Sequence, residues 1–341
     1  MTRADHEENN TPMLTPRTLA LAACAAVGAL ALTSCGSTER PTAEAQQSSD
    51  GPISVTDARG TTVELDAPAQ RVVALEWAEV EMLETLGADV VGAADPKGYA
   101  TWNASEELDA DTQDVGLRAE PSVDAIMALD PDLVVLEQDG GDALIKQMEK
   151  ADVPVLITTG SDASRNLDRM REDFTMIAEA LGRTDEAEEV LGDLDEKFEE
   201  TRTAIAEAGN DRAPFAMADG WMEGSNVSIR MFGEGALFSD VAEEVGLENA
   251  WTGKVDEMWG LGTIDVEGIS SLKKHEDLTF LYSSSEEPDV FAEGLEKNAI
   301  WTSMPFVKQD RLHKLEPGTW TFGGPASIES FLDQLDGVFA S

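Results

Sequence analysis

The chain has 341 residues, with 24 Lys+Arg against 68 Asp+Glu and a formal net charge of -44. That balance lacks the basic face needed to neutralise phosphates, which excludes nucleic acid as a partner, and it offers no polybasic surface for anionic lipid. Hydrophobic residues make up 42% of the chain, enough for a sizeable core, while the two cysteines, Cys24 and Cys35, leave no disulfide framework or CxxC site beyond the N-terminal stretch.

In chain order, the first element is a targeting segment. Thr18 to Thr33 is almost wholly apolar and follows Arg17. Its length, about 16 residues, suits a signal sequence and is short for a membrane span. It ends in Leu32-Thr33-Ser34-Cys35-Gly36, which resembles a bacterial lipobox in which Cys35 is lipidated and becomes the new N-terminus. An ordinary secretory cleavage near Ser34 is the alternative. Asp5, Glu7 and Glu8 spoil residues 1–12 as a basic leader, so Met13 is a better start for the signal. Removing 1–34 takes away few of the acids, so the acidity belongs to the exported protein. Residues 35–51 are polar and aperiodic, a flexible tether.

Ile53 to Leu65 alternates around Asp57-Ala58-Arg59-Gly60 and predicts a β-hairpin. Short apolar runs at 71–75, 90–93, 132–136 and 153–157 then alternate with helical stretches at 76–86, 123–129 and 144–150. This pattern predicts an α/β lobe with a mainly parallel sheet over 52–160. Residues 161–210 are a helical linker, with helices at Asn166–Leu181 and Asp185–Ala208. The second carries apolar or small residues near every third or fourth position and a dense acidic face, as a spine between two lobes would. From 211 to 341 the alternation resumes. Strands are expected at 215–218, 227–229, 278–282 and 311–315, and helices at 237–245, 266–272, 290–297 and 327–339. The architecture expected is α/β, two lobes joined by one long helix.

Three stretches carry a family resemblance: Arg71-Val72-Val73-Ala74-Leu75-Glu76-Trp77; Val115 to Ile126 running into Pro131-Asp132-Leu133-Val134; and Trp259-Gly260 through Asp265-Val266-Glu267, Trp301 to Phe306 and Trp320-Thr321-Phe322-Gly323-Gly324-Pro325. In this order, over about 52–339, the chain resembles the periplasmic binding proteins of iron–siderophore ABC importers, most of all the ferrichrome- and ferric-citrate-binding members. The resemblance implies a class III receptor with a helical backbone and little hinge motion. It also implies a monomer, lipid-anchored on the extracytoplasmic face of the membrane, that hands a ferric siderophore to a permease. Such a receptor is not an enzyme and has no cofactor, the iron being held by the chelator.

A ferric chelate presents a crowded ring of oxygens in an organic shell, which guanidinium forks and flat aromatic walls suit. The resemblance puts Arg118 at the position that contacts chelate oxygens, with Arg230 a second candidate from the other lobe. Trp259 and Trp320 match aromatic positions of the family cleft, Trp221 is a plausible third, and Tyr99 and Trp102 fall in a stretch expected as a loop at its mouth. Trp301 reads as packing. For each arginine the plain alternative is a surface ion pair, and for each tryptophan a place in the core. Permease docking in this family uses one carboxylate per lobe. Glu267 matches one, and Asp124 stands where the other is usually Glu, with Glu120 nearby as a substitute.

Rival readings remain at this level. A direct metal site needs converging ligands, and the three histidines, His6, His275 and His313, are scattered. Haem, which wants an axial His or Tyr, and vitamin B12 are ligands the same fold can hold. An exported hydrolase is the rival from a different class. No GxSxG, HExxH or P-loop is present, and Gly233-Glu234-Gly235 is only a fragment of a dinucleotide motif.

Overall fold

The structure, a computed structural model, describes residues 51–341 apart from 139–141, 152, 224–225 and 285–287. The signal segment, Met13, Cys24, Cys35 and all of the tether except Gly51 lie outside the described residues. β1 (Ile53–Thr56) and β2 (Thr62–Leu65) form the expected hairpin, with Val55 opposite Val63 and both buried. Asp57 closes its turn by accepting from the Arg59 and Thr61 amides at 2.9 Å each.

The first lobe continues with β3 (Val72–Ala74), α1 (Trp77–Thr85), β4 (Val90–Ala93), α2 (Pro96–Trp102) and β5 (Gln113–Asp114). A small hairpin of β6 (Gly116–Leu117) and β7 (Glu120–Pro121) leads to α3 (Val123–Ala128), β8 (Leu133–Glu137), α4 (Asp142–Lys150) and β9 (Val155–Thr158). The main sheet has the order β5-β4-β3-β8-β9, and all its pairs are parallel. Its central strands are buried on both faces, which explains why they read as unbroken apolar runs. One expectation fails here: the stretch after Asp95 is not a loop but α2. Asp95 caps it by accepting from the Gly98 amide at 3.1 Å, and Pro96 sits in the first turn, where its missing N–H costs nothing.

α5 (Asn166–Leu181) ends at Gly182, whose φ of 64° closes the helix in the left-handed region. α6 (Thr184–Glu207) is 24 residues long, about 36 Å at the helical rise. It lies one residue from the expected bounds and buries Ala187, Leu194, Phe198, Thr201 and Ile205.

The second lobe is built from β10 (Pro214–Glu223), β11 (Asn226–Phe232), α7 (Leu237–Glu244), β12 (Glu248–Asn249), β13 (Leu261–Ile264), β14 (Thr279–Ser283), α8 (Pro305–Lys308), β15 (Leu312–Lys314) and α9 (Pro325–Phe339). Its sheet runs β13-β11-β10-β14-β15, with β12 also paired to β10. It is mixed: β10, β11 and β13 are antiparallel neighbours, while β14 and β15 run parallel to β10. Two expected α-helices take other forms. A short 3₁₀ helix covers Gly268–Lys274, and a single wide turn over Val290–Gly294 is capped by Asp289. β13 was not expected; Leu-Gly-Thr-Ile is too short to show a period.

The main core passes through both lobes, from β3 and α1 across α5 and α6 to β10, α7 and α9. Phe238 on α7 stacks on Phe331 of α9 at 4.2 Å. Two smaller clusters cover the outer face of each sheet. The lobes therefore share buried apolar surface as well as a helix, and separating them would expose it.

Candidate ligand-binding cleft

The first-lobe half of the candidate site lies at the carboxyl end of β3, the end at which open α/β sheets commonly hold ligands. Glu76 follows that strand and Trp77 opens α1. The Trp77 ring is 6% exposed and its Nε1 donates to the Ala94 and Asp95 carbonyls at 3.3 Å. Arg118 sits in the turn of the β6–β7 hairpin. Its Nε and Nη2 both donate to Glu76 Oε2 at 2.5 Å, and its guanidinium carbon lies 4.3 Å from the Trp77 ring centre. That places a half-buried cation on an aromatic face, with a carboxylate fixing its orientation.

The second-lobe half is written in strand register. Asp219 on β10 faces Arg230 on β11, and Trp221 faces Ser228 two residues along the same face. Arg230 Nε donates to Asp219 Oδ1 at 2.9 Å while Nη2 donates to Oδ2, a bidentate fork. Burial pushes the Asp219 carboxyl above its ordinary value, and the Arg230 fork draws it back. Trp221 is exposed, 5.9 Å from the Arg230 guanidinium.

One loop, between β15 and α9, joins the halves. Trp320 meets Trp77 edge-on at 4.9 Å and Phe322 at 5.1 Å, and Phe322 meets Trp259 at 5.3 Å. Arg118 lies 5.5 Å from Trp320, and Arg230 lies 5.2 Å from Phe322. The two arginines thus flank a continuous ladder of rings. Trp259 is held in a turn whose amides at Met258, Trp259 and Leu261 all donate to Asp256.

Beneath the ladder lie two buried acids of α1. Glu81 accepts from Gly324 N (2.9 Å), Ser327 N (2.8 Å), Ser327 Oγ (2.5 Å) and Asn103 Nδ2 (2.6 Å), so it ties the start of α9, and with it the Trp320–Phe322 loop, to the first lobe. Glu79 accepts from Thr158 Oγ1 at 2.6 Å, but its Oε2 has no partner among the described residues. Burial, and to a lesser degree the nearby Glu76 and Asp173 charges, push Glu79 up to about 8. It borders a cavity of about 20 Å³ shared with Asp173, Trp259 and Phe322, room for about one water. A larger hollow of about 900 Å³ lies elsewhere, between α9 and β15, lined by Glu106, Glu316, Glu329 and Asp333.

Of the sequence candidates, the fold brings Arg118, Arg230, Trp221, Trp259 and Trp320 into this one cluster. It leaves two out. Tyr99 is 1% exposed and points from α2 into the main core, its hydroxyl donating to the Glu106 carbonyl at 2.9 Å; a helix, unlike the expected loop, turns that side chain inward. Trp102, at the end of α2, packs against the main core, and no ring contact among the described residues joins it to the ladder. Trp301 is core, packed with Phe280, Phe291 and Phe306. Trp77 and Phe322 are the rings that sequence reasoning did not single out, although both stand inside the motifs quoted above. Tyr282 is also buried, its hydroxyl 3.3 Å from Asp289. Neither tyrosine turns an oxygen to the ladder. Asp124 on α3, Glu120 on β7 and Glu267 before the 3₁₀ helix are all exposed.

A model of the periplasmic binding protein family matches residues 72–318. The chain belongs to that family. It is 27% identical to the iron(3+)-hydroxamate-binding protein FhuD of Escherichia coli, over 78% of this chain and 86% of that protein. It is 24% identical to the Fe(3+)-citrate-binding protein YfmC of Bacillus subtilis, over 88% of this chain and 90% of the relative. Among solved folds it is similar to FhuD of Vibrio cholerae with Fe3+–Desferal bound, with a TM-score of 0.69, 24% identity, and 80% of this chain and 98% of that one covered. Staphylococcus aureus SirA in complex with staphyloferrin B gives 0.63 at 20% identity, covering 83% and 97%. The α/β fold with its long helices is that of these class III binding proteins.

Proposed function

We infer that this periplasmic binding protein is a receptor that binds a ferric siderophore between its lobes and passes it to an ABC permease for iron uptake. The observation that carries this reading is the pair of arginines, one from each lobe, set on a single aromatic ladder. Guanidinium N–H groups can donate to chelate oxygens while the rings take the organic shell. The relatives named for hydroxamate and citrate complexes of iron support the same reading.

On this reading the protein performs no catalysis and needs no cofactor of its own, since the chelator holds the iron. It acts as a monomer on the extracytoplasmic face of the membrane, lipid-anchored at Cys35. The exposed carboxylates of Asp124 or Glu120 on one lobe and Glu267 on the other are the proposed contacts for permease arginines, where charge complementarity steers docking. Trp102 and Tyr99 support the cleft from behind and do not touch the ligand.

The test is a fluorescence titration of the exported chain. A ferric hydroxamate or ferric citrate complex should quench the tryptophans stoichiometrically, and the iron-free chelator much less. No response to hydroxamate, citrate or catecholate complexes would defeat the assignment.

A further inference from the structure

Each cleft arginine comes with its own counter-charge. Arg118 is paired with Glu76, and Arg230 forks onto Asp219. Glu79 adds a third carboxyl behind Phe322 and Trp259. The cluster therefore presents two cations already matched by two carboxylates, in a chain whose net charge is -44. An anionic ligand could claim a whole guanidinium only by displacing its acid. The Asp219 side chain is 14% exposed, and a carboxylate stripped of its partner there keeps the cost of desolvation without the attraction that offsets it.

The geometry points to Glu76 and Asp219 as specificity-determining residues that, by neutralising the two arginines, make the cleft prefer ferric complexes without net negative charge. This rests on the receptor reading above and narrows it to a substrate class. Three monoanionic hydroxamates cancel the ferric charge. Three dianionic catecholates overshoot it, and ferric citrate keeps spare carboxylates. A guanidinium has five N–H groups. Arg118 and Arg230 can therefore donate to the oxygens of a neutral chelate while both ion pairs stay intact. The ring faces of Trp320, Phe322 and Trp221 carry negative quadrupoles, which favour a neutral or cationic shell over an anionic one.

The experiment compares three probes on the wild-type exported chain by tryptophan fluorescence: ferric desferrioxamine, ferric citrate and the ferric complex of 2,3-dihydroxybenzoate. The hydroxamate complex should bind about tenfold or more tighter than either anion, the order of effect expected of one or two charges at this range. The preference should shrink as salt rises. In Glu76→Gln and Asp219→Asn the ratio of anion to hydroxamate affinity should rise by about tenfold, whatever happens to affinity overall. Equal wild-type affinity for hydroxamate and anions, or an unchanged ratio in both variants, overturns the inference and leaves the receptor reading standing. Failure of all three complexes to bind the wild type removes that reading, and this one with it.

Discussion

Two acids of one helix, two residues apart, meet the same burial with different supplies of donors. Glu81 and Glu79 on α1 are both buried, 0% and 2% exposed. Glu81 faces the start of α9, where four donors converge on its two oxygens and counter, without cancelling, the upward push that burial gives its carboxyl. Glu79 faces β9 and the small cavity, where one hydroxyl donates and the second oxygen is left over. The first acid is a tie between lobes. The second is better off keeping its proton, as its rise to about 8 reflects. What decides between them is the supply of donors, since depth is the same for both.

That contrast can be broken at its strong end first. Glu81→Ala removes the common acceptor of four donors, three of them from the first residues of α9 and the chain leading into it. We expect a loss of about 3 kcal/mol in denaturant unfolding, in the range for leaving buried partners unpaired, together with weakened ligand binding as the Trp320–Phe322 loop loosens. Unfolding within about 0.5 kcal/mol of wild type would show that the tie is dispensable. Just ahead of the same helix, Glu76 holds Arg118 near the surface. Arg118→Ala should weaken ferric hydroxamate binding by about 1.5–3 kcal/mol, the worth of a charge-assisted hydrogen bond, with little change in unfolding because the pair is half-exposed. Wild-type affinity in that variant would remove Arg118 from the site.

Glu79→Gln tests the weak end through pH. Because the folded-state value lies above the ordinary one, the native protein holds a proton that the unfolded chain has already released. That contribution is complete below the ordinary carboxylate range and is lost as pH rises towards about 8. The glutamine variant should match wild type near about pH 5 and then gain on it by up to about 1.4 kcal/mol per pH unit until about pH 8. A difference that does not vary with pH would mean that Glu79 is charged throughout. The smallest effect on binding is expected farthest from α1: Glu267→Ala should leave affinity for the ferric complex unchanged and lower transport in cells. Normal transport in that variant would end the docking role.

Much of the fold was legible because its signals are local. The hairpin at 53–65, the parallel strands, α5 and the long α6 all follow from alternation, apolar runs and helical spacing, and fall within a residue or two of the expected bounds. α2 escaped because Pro96 and Gly98 read as turn residues; only the cap on Asp95 makes them a helix. The 3₁₀ helix at 268–274 and the wide turn at 290–294 looked like α-helices because apolar spacing over so few residues cannot distinguish them. Within the cleft, arginines stand out against so many acids, and tryptophans are rare enough to notice. Glu79 and Glu81 did not stand out, for the same reason reversed: among 68 acidic residues the expectation for any one is a solvated face.

Length, charge and composition excluded nucleic acid, and the ordered motifs gave the two-lobed architecture, the arginine candidates and the aromatic candidates. Exclusion and architecture are matters of residue type and periodicity, which a linear chain carries in itself, while Arg118, Trp259 and Trp320 were picked out by the family resemblance. Which rings meet, and which acids are spent on which cations, was decided only by the tertiary structure. Glu76 lies 42 positions from Arg118, and Glu81 lies 246 from Ser327; such partners have no relation along the chain until α1, the β6–β7 hairpin and α9 are packed together. The -44 of the opening count therefore says little about the cleft. There each arginine is matched to an acid of its own, so local pairing decides what a ligand meets.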